Sequence, residues 1–187
     1  RNFLKVQRPV RGRGFVEPNF SRGAFHFMRL AGRVYLRLFE GIASVALQQP
    51  ESLINSFRAF ESGEKRLVIA FRHAARMDAP VLLYAVSKML RKEAGKRNQP
   101  LRATPHVRFI YGKDVLNWAG SAAAWLFPRI GNIPIVNGRS NREGLAILKN
   151  EITGGEFPIS LAPEGQVTYH MYRTFPLANG TASLARW

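Results

Sequence analysis

From residue 65 onward the chain alternates between two apolar patterns. Short runs rich in β-branched and aromatic residues, "RLVIAF" (66–71), "HVRFIYG" (106–112), "IPIV" (133–136) and "FPISLA" (157–162), read as strands. Between them lie longer segments with helical spacing: "PVLLYAVSKMLRKEA" (80–94), "VLNWAGSAAAWLF" (115–127) and "REGLAILKNEI" (142–152). Pro80 suits a first helical turn, and Gly154 with Gly155 stops the last helix. Regular alternation of strand and helix predicts an α/β fold, a mixed, largely parallel sheet covered by helices.

The N-terminal third follows another pattern. "RNFLKVQRPVRGRGFVEPNFSRG" (1–23) is rich in Arg, Gly and Pro and has no clear period, so it reads as an extended basic arm. In "AFHFMRLAGRVYLRLFEGIASVALQQP" (24–50), Arg29, Arg33 and Arg37 recur every fourth residue, while Phe27, Leu30, Val34, Leu38 and Ile42 supply an apolar face. A helix of this kind can lie in a membrane interface with its cations at lipid phosphates. It can equally pack on a domain with its arginines in water. The expected organisation is thus an arm (1–23), a basic amphipathic helical segment at a membrane interface (24–64) and an α/β domain (65–187).

Composition narrows the functional classes. The 187 residues carry a formal net charge of +16, and 46% of them are hydrophobic, so the chain is strongly basic yet apolar enough to fold. Such an excess draws the protein to polyanions: nucleic acid, an anionic membrane or phosphorylated substrates. With no cysteine, thiolate nucleophiles, thiolate metal sites and disulfides are excluded. No stretch reaches the roughly 18 uninterrupted apolar residues of a membrane span, so any membrane role is peripheral. The first residue is Arg1, and a segment upstream of it is expected.

Candidate chemistry sits in "RHAARMDAP" (72–80), where a predicted strand gives way to a predicted helix. Strand-to-helix loops of α/β sheets collect active sites because the strand fixes a loop that stays accessible. On a continuous helix, His73 and Asp78 would diverge by about 140°, so they meet only if the segment is a tight turn. Pro80 disfavours helical geometry at Ala79 and supports that turn. A carboxylate beside an imidazole selects one tautomer and stabilises the imidazolium once a proton has been taken. No G-x-S-x-G nucleophile elbow accompanies the pair, so the hydroxyl to be activated belongs to the substrate. The plainer reading keeps Asp78 as a helix-start residue only. His26, His106 and His170 read as structural or exposed.

Downstream come "RIGNIPIVNGRSNREG" (129–144) and "LAPEGQVTYH" (161–170). In order and approximate spacing, "HAARMD", "GNIPIVNGR" and "APEG" resemble the first three sequence blocks of the glycerolipid acyltransferase family, which includes the 1-acylglycerol-3-phosphate acyltransferases. The resemblance covers roughly residues 65–185. Each motif is weak alone; the ordered set is specific.

The resemblance implies roles residue by residue. His73 would be the general base that deprotonates the acceptor hydroxyl, and Asp78 would orient and charge-stabilise it. Arg139 resembles the family's phosphate-binding arginine, and Glu164 with Gly165 matches the Glu-Gly pair of the acceptor-binding loop. A guanidinium after a strand and a glycine is also well placed on physical grounds to hold a phosphate through two hydrogen bonds. As a sequence feature it reads equally as a solvated loop arginine. Two departures bear on the acceptor. Gln166 and Val167 replace the usual Thr and Arg, and the extra Gly138 lets Arg142 compete with Arg139. The family's fourth block is expected beyond "NGTASLARW".

The activity so implied is transfer of a fatty acyl group from a thioester, acyl-CoA or acyl carrier protein, to a hydroxyl of a lysophospholipid or glycerol phosphate. The leading acceptor is 1-acylglycerol-3-phosphate, which would become phosphatidic acid. No cofactor and no metal are called for. The expected partner surface is an anionic membrane, met peripherally on its cytoplasmic face, and no nucleic acid is expected. Two alternatives stand beside this: a nucleic-acid-binding module built on Lys88, Arg91, Lys92, Lys96, Arg97 and Arg102, and a catalytically inactive membrane-binding relative.

Overall fold

The computed structural model describes residues 16–136, 142–170, 172–184 and 186. Four three- to five-residue strands, β1 (Val68–Ala70), β2 (Arg108–Gly112), β3 (Ile133–Ile135) and β4 (Ile159–Leu161), form one sheet in the order β1-β4-β2-β3. Every pairing is parallel: Ile69 faces Ser160, Phe109 faces Ser160 from the other side, and Tyr111 faces Pro134. The protein is therefore α/β, with all C-terminal strand ends at one edge.

Alternation along the strands divides the core between the two faces of the sheet. Leu67, Ile69, Phe71 and Phe109 point to one face and pack with Phe25, Met28, Ile54, Phe57, Leu83, Val86 and Leu90. These come from α1 (Arg22–Leu38), α2 (Glu51–Glu61), α3 (Asp78–Tyr84) and a π-helical segment (Ala85–Leu90). Ile110, Ile133, Ile159 and Leu161 point to the other face, against Leu148, Ile152 and Leu184. The helical segment read at 24–64 thus shares one core with the sheet. β1 departs from the buried strand expected of "RLVIAF". As an edge strand it leaves Val68 and Ala70 exposed.

Helix boundaries follow local chemistry. The expected helix at 80–94 runs from Asp78 as α3, the π-helical segment and α4 (Arg91–Lys96). Arg29 Nε donates to the carbonyl of Ser87 in the wide π turns at 3.0 Å. The expected single helix at 115–127 is two, α5 (Val115–Trp118) and α6 (Gly120–Arg129), because Gly120 at φ +86° breaks the winding. α7 (Arg142–Gly154) and α8 (Asn179–Leu184) complete the described helices. α1 ends where Gly41 adopts φ +67° and the Ile42 N–H turns back to the Leu36 carbonyl at 2.8 Å, so Ile42 leaves the helical row assigned to it.

His106 lies 1% exposed among Phe20, Phe25 and Phe157, with Nε2 2.7 Å from the Ile130 carbonyl. Burial is the main cause that lowers its pKa from 6.5 to about 4, so it is a neutral core residue. His26 and His170 are exposed.

Candidate active site

β1 and β4 are neighbours, so their following loops leave the same sheet edge side by side. Pairing continues one residue beyond β1, where the Phe71 N–H donates to the Leu161 carbonyl at 3.0 Å. His73 follows two residues later. Residues 75–78 then form the tight turn that the spacing requires. The Asp78 N–H donates to the Ala75 carbonyl at 3.2 Å, and the Ala75 N–H donates to Asp78 Oδ2 at 2.7 Å. This reciprocal closure brings Asp78 Oδ2 to 3.6 Å from His73 Nδ1, with side-chain exposures of 30% and 19%. The separation lies beyond hydrogen-bond reach. Asp78 is also the first residue of α3, so both readings of it hold at once: it opens a helix and it faces the imidazole. The Phe71 ring, 5.5 Å from the His73 ring between centroids, walls one side. Nδ1 is buried and turned to the carboxylate, which leaves Nε2 as the nitrogen for a ligand.

The loop after β4 brings the second motif to the same edge. A turn closes where the Gly165 N–H donates to the Ala162 carbonyl at 3.0 Å, and Gly165 at φ +68° occupies the left-handed region that favours glycine. Glu164 is buried in this turn, and its Oε2 accepts no hydrogen bond from the described residues. Gln166 is exposed. Farther along, the Thr168 N–H donates to the His73 carbonyl at 2.8 Å, which fastens the two loops together.

The candidate phosphate ligands follow β3 in sequence, and β3 is the strand at the opposite end of the order from β1. Arg139 falls outside the described residues. Arg142 is the exposed first residue of α7. Three residues at this edge lie outside every motif: Arg72 and Thr168, which join the loops, and Lys113. The last follows β2 directly, and its N–H donates to the Ile135 carbonyl at 2.8 Å. A lysine immediately after a strand, as in "RFIYGK", was the available signal for it. Nothing in the pattern marked Thr168, because its role depends on a partner 95 residues away.

The C-terminal end of α1 lies beside the His73–Asp78 turn. Burial, and then the Glu40 carboxylate that accepts the Tyr35 hydroxyl at 2.6 Å, push the Tyr35 phenol up to about 12, against a smaller opposing pull from Arg76 in that turn. On α1 itself, Phe25, Met28 and Leu36 face the core, and Gly32 lets Tyr84 approach closely. The predicted apolar row points the opposite way: Leu30 is 73% and Leu38 71% exposed, with Phe27 and Val34 also exposed, and Phe39 just beyond the helix is exposed beside them. Trp125 of α6 extends this outer face edge-on to Phe27, and Arg129 lies over the Trp125 ring. Arg33 and Arg37 are exposed on its flank, whereas Arg29 turns inward to Ser87 and leaves the basic stripe. No helix among the described residues is long and apolar enough to cross a membrane.

No protein-family model, curated protein or solved structure matches the chain.

Proposed function

We propose that the protein is an O-acyltransferase that moves a fatty acyl group from a thioester donor to a hydroxyl of a glycerol phosphate acceptor at an anionic membrane surface. The observation that carries the reading is the closed turn that brings the His73 and Asp78 side chains together at the C-terminal edge of a parallel sheet, 3.6 Å apart. The buried Glu164 turn on the neighbouring loop supports it, as does the order of the three motifs.

In the proposed reaction, His73 Nε2 takes the proton of the acceptor hydroxyl as its oxygen attacks the thioester carbonyl. The new C–O bond forms, the C–S bond breaks, and the imidazolium returns the proton to the leaving thiolate. Asp78 faces Nδ1 and stabilises the imidazolium between these two transfers. General base catalysis supplies about 10²- to 10⁴-fold, and positioning of the two substrates supplies more. Arg139 or Arg142 is the proposed phosphate ligand, and 1-acylglycerol-3-phosphate is the leading acceptor, with glycerol 3-phosphate as the second.

Attachment is peripheral, on the cytoplasmic face. The outward row of α1 supports it, because large apolar side chains on a surface flanked by arginines match a bilayer's acyl layer and anionic headgroups. The nucleic-acid reading draws less support. Of its basic cluster, Arg97 pairs with Glu51 and Glu93, and Lys96 with Glu93, which leaves a smaller uncompensated patch.

The test is acyl transfer measured on anionic vesicles with acyl-CoA and with acyl carrier protein as donors, and with both acceptors. Wild type should transfer and His73→Ala should not, while retaining its fold. Absence of transfer from wild type with every donor and acceptor would leave the inactive membrane-binding relative as the better reading.

A further inference from the structure

The loop that carries His73 needs an external support. β1 is a three-residue edge strand with β4 as its one partner among the described residues, and its ladder ends at the Phe71 N–H. Beyond that bond, nothing in β-pairing restrains the main chain at His73. A displacement of about 1 Å at a reacting group costs on the order of 10²-fold in rate.

Two sets of bonds between this loop and the loop after β4 supply the restraint. The Thr168 N–H and the Thr168 hydroxyl both reach the His73 carbonyl, at 2.8 and 3.3 Å. Thr168 is 5% exposed, so water competes little for these bonds. The same hydroxyl lies 3.4 Å from the His170 carbonyl, across a turn in which Tyr169 holds φ +54°. A left-handed tyrosine is strained, and this one is 72% exposed, so side-chain packing does little to offset the strain. Arg72 completes the clasp from the other strand: its Nη2 donates to the carbonyls of His170 and Arg173 at 2.9 and 2.7 Å.

We propose that Thr168 is a positioning residue, whose hydroxyl adds to its N–H the restraint that holds the main chain of His73 so that its imidazole faces Asp78 and couples that loop to the one carrying Glu164. The kinetic part of this proposal rests on the acyl-transfer reading; the geometric part does not.

The experiment compares Thr168→Val, which keeps the branched shape and the N–H but deletes the hydroxyl, with Thr168→Ser, which restores it. Three quantities are read: kcat, the KM of donor and acceptor, and the imidazole NMR resonances of His73, assigned by their loss in His73→Ala. Thr168→Val should lower kcat about tenfold or more with both KM values within about twofold of wild type, and should shift the His73 resonances. Thr168→Ser should recover most of both. Wild-type kcat in Thr168→Val, or a Thr168→Ser protein as impaired as Thr168→Val, overturns the proposal. If wild type itself shows no acyl transfer, the proposed function fails and the His73 resonances decide the positioning role alone: unmoved resonances in Thr168→Val overturn it. Should Thr168→Val fail to fold, Arg72→Gln takes its place, because Arg72 is exposed and grips the same loop. Shifted His73 resonances there uphold the clasp, and unshifted ones overturn it.

Discussion

Asp78→Asn separates a catalytic pair from a structural turn because the two roles of Asp78 use different properties of one side chain. As a turn residue, Asp78 needs an oxygen to accept the Ala75 N–H at 2.7 Å, and asparagine has one. As the partner of His73 it needs charge, and asparagine has none. At 3.6 Å, a charge pair is worth about 5 kcal/mol at an effective dielectric constant near 20 and about 1 kcal/mol in bulk water. The side chains are 19% and 30% exposed, so the pair lies between these limits. If that stabilisation is felt only by the imidazolium of the transition state, turnover should fall by roughly tenfold to a few thousandfold. The assay is turnover at saturating donor and acceptor, with circular dichroism and a thermal midpoint to verify the fold. Asp78→Ala is the control: it removes charge and turn bond together and should lose about 1 kcal/mol of stability in addition. Turnover of Asp78→Asn within about threefold of wild type, in a folded protein, refutes the dyad.

Stability should depend on His106. The unfolded chain takes up a proton near pH 6.5 that the folded chain resists down to about 4, so the contribution is complete above 6.5 and drains as pH falls toward 4. About 2 kcal/mol should be lost between pH 7 and pH 5 in denaturant titrations, and His106→Phe should flatten that loss; an equally steep loss in the variant would mean other groups carry it. For the acceptor phosphate, Arg139→Ala should raise the acceptor KM far more than the donor KM, and a larger effect from Arg142→Ala would transfer the role to Arg142. For the membrane face, Arg33→Gln with Arg37→Gln should weaken binding to anionic vesicles by about 2 kcal/mol at low salt and less at high salt. Leu30→Ser with Leu38→Ser should weaken it at every salt concentration without lowering the thermal midpoint, since both leucines already face outward; vesicle binding untouched by both pairs would sink the docking face.

Much of the fold was written in local pattern. The four apolar runs became the four strands, because short β-branched segments punctuated by Gly and Pro have few other ways to bury themselves. The tight turn at "RHAARMDAP" was legible in the geometry of a five-residue offset, although Pro80 did not keep Ala79 out of the helix: Ala79 is the second residue of α3, and the turn closes earlier, between Ala75 and Asp78. What local pattern left open was decided by which element each face meets. α1 carries apolar residues on two sides, and periodicity marked the row at Phe27, Leu30, Val34 and Leu38 without telling whether core or solvent would take it. The sheet and α3 took the other side, through Phe25, Met28 and Leu36, and turned the marked row outward. In the same way Arg29 looked like its neighbours Arg33 and Arg37 until the π-helical turn offered it the Ser87 carbonyl. Thr168 and Arg72 left no trace in the sequence, because each acts on main-chain atoms about 100 residues away, and any residue type presents the same carbonyl. Periodicity reports what a segment can bury; only the assembled chain determines against which partner.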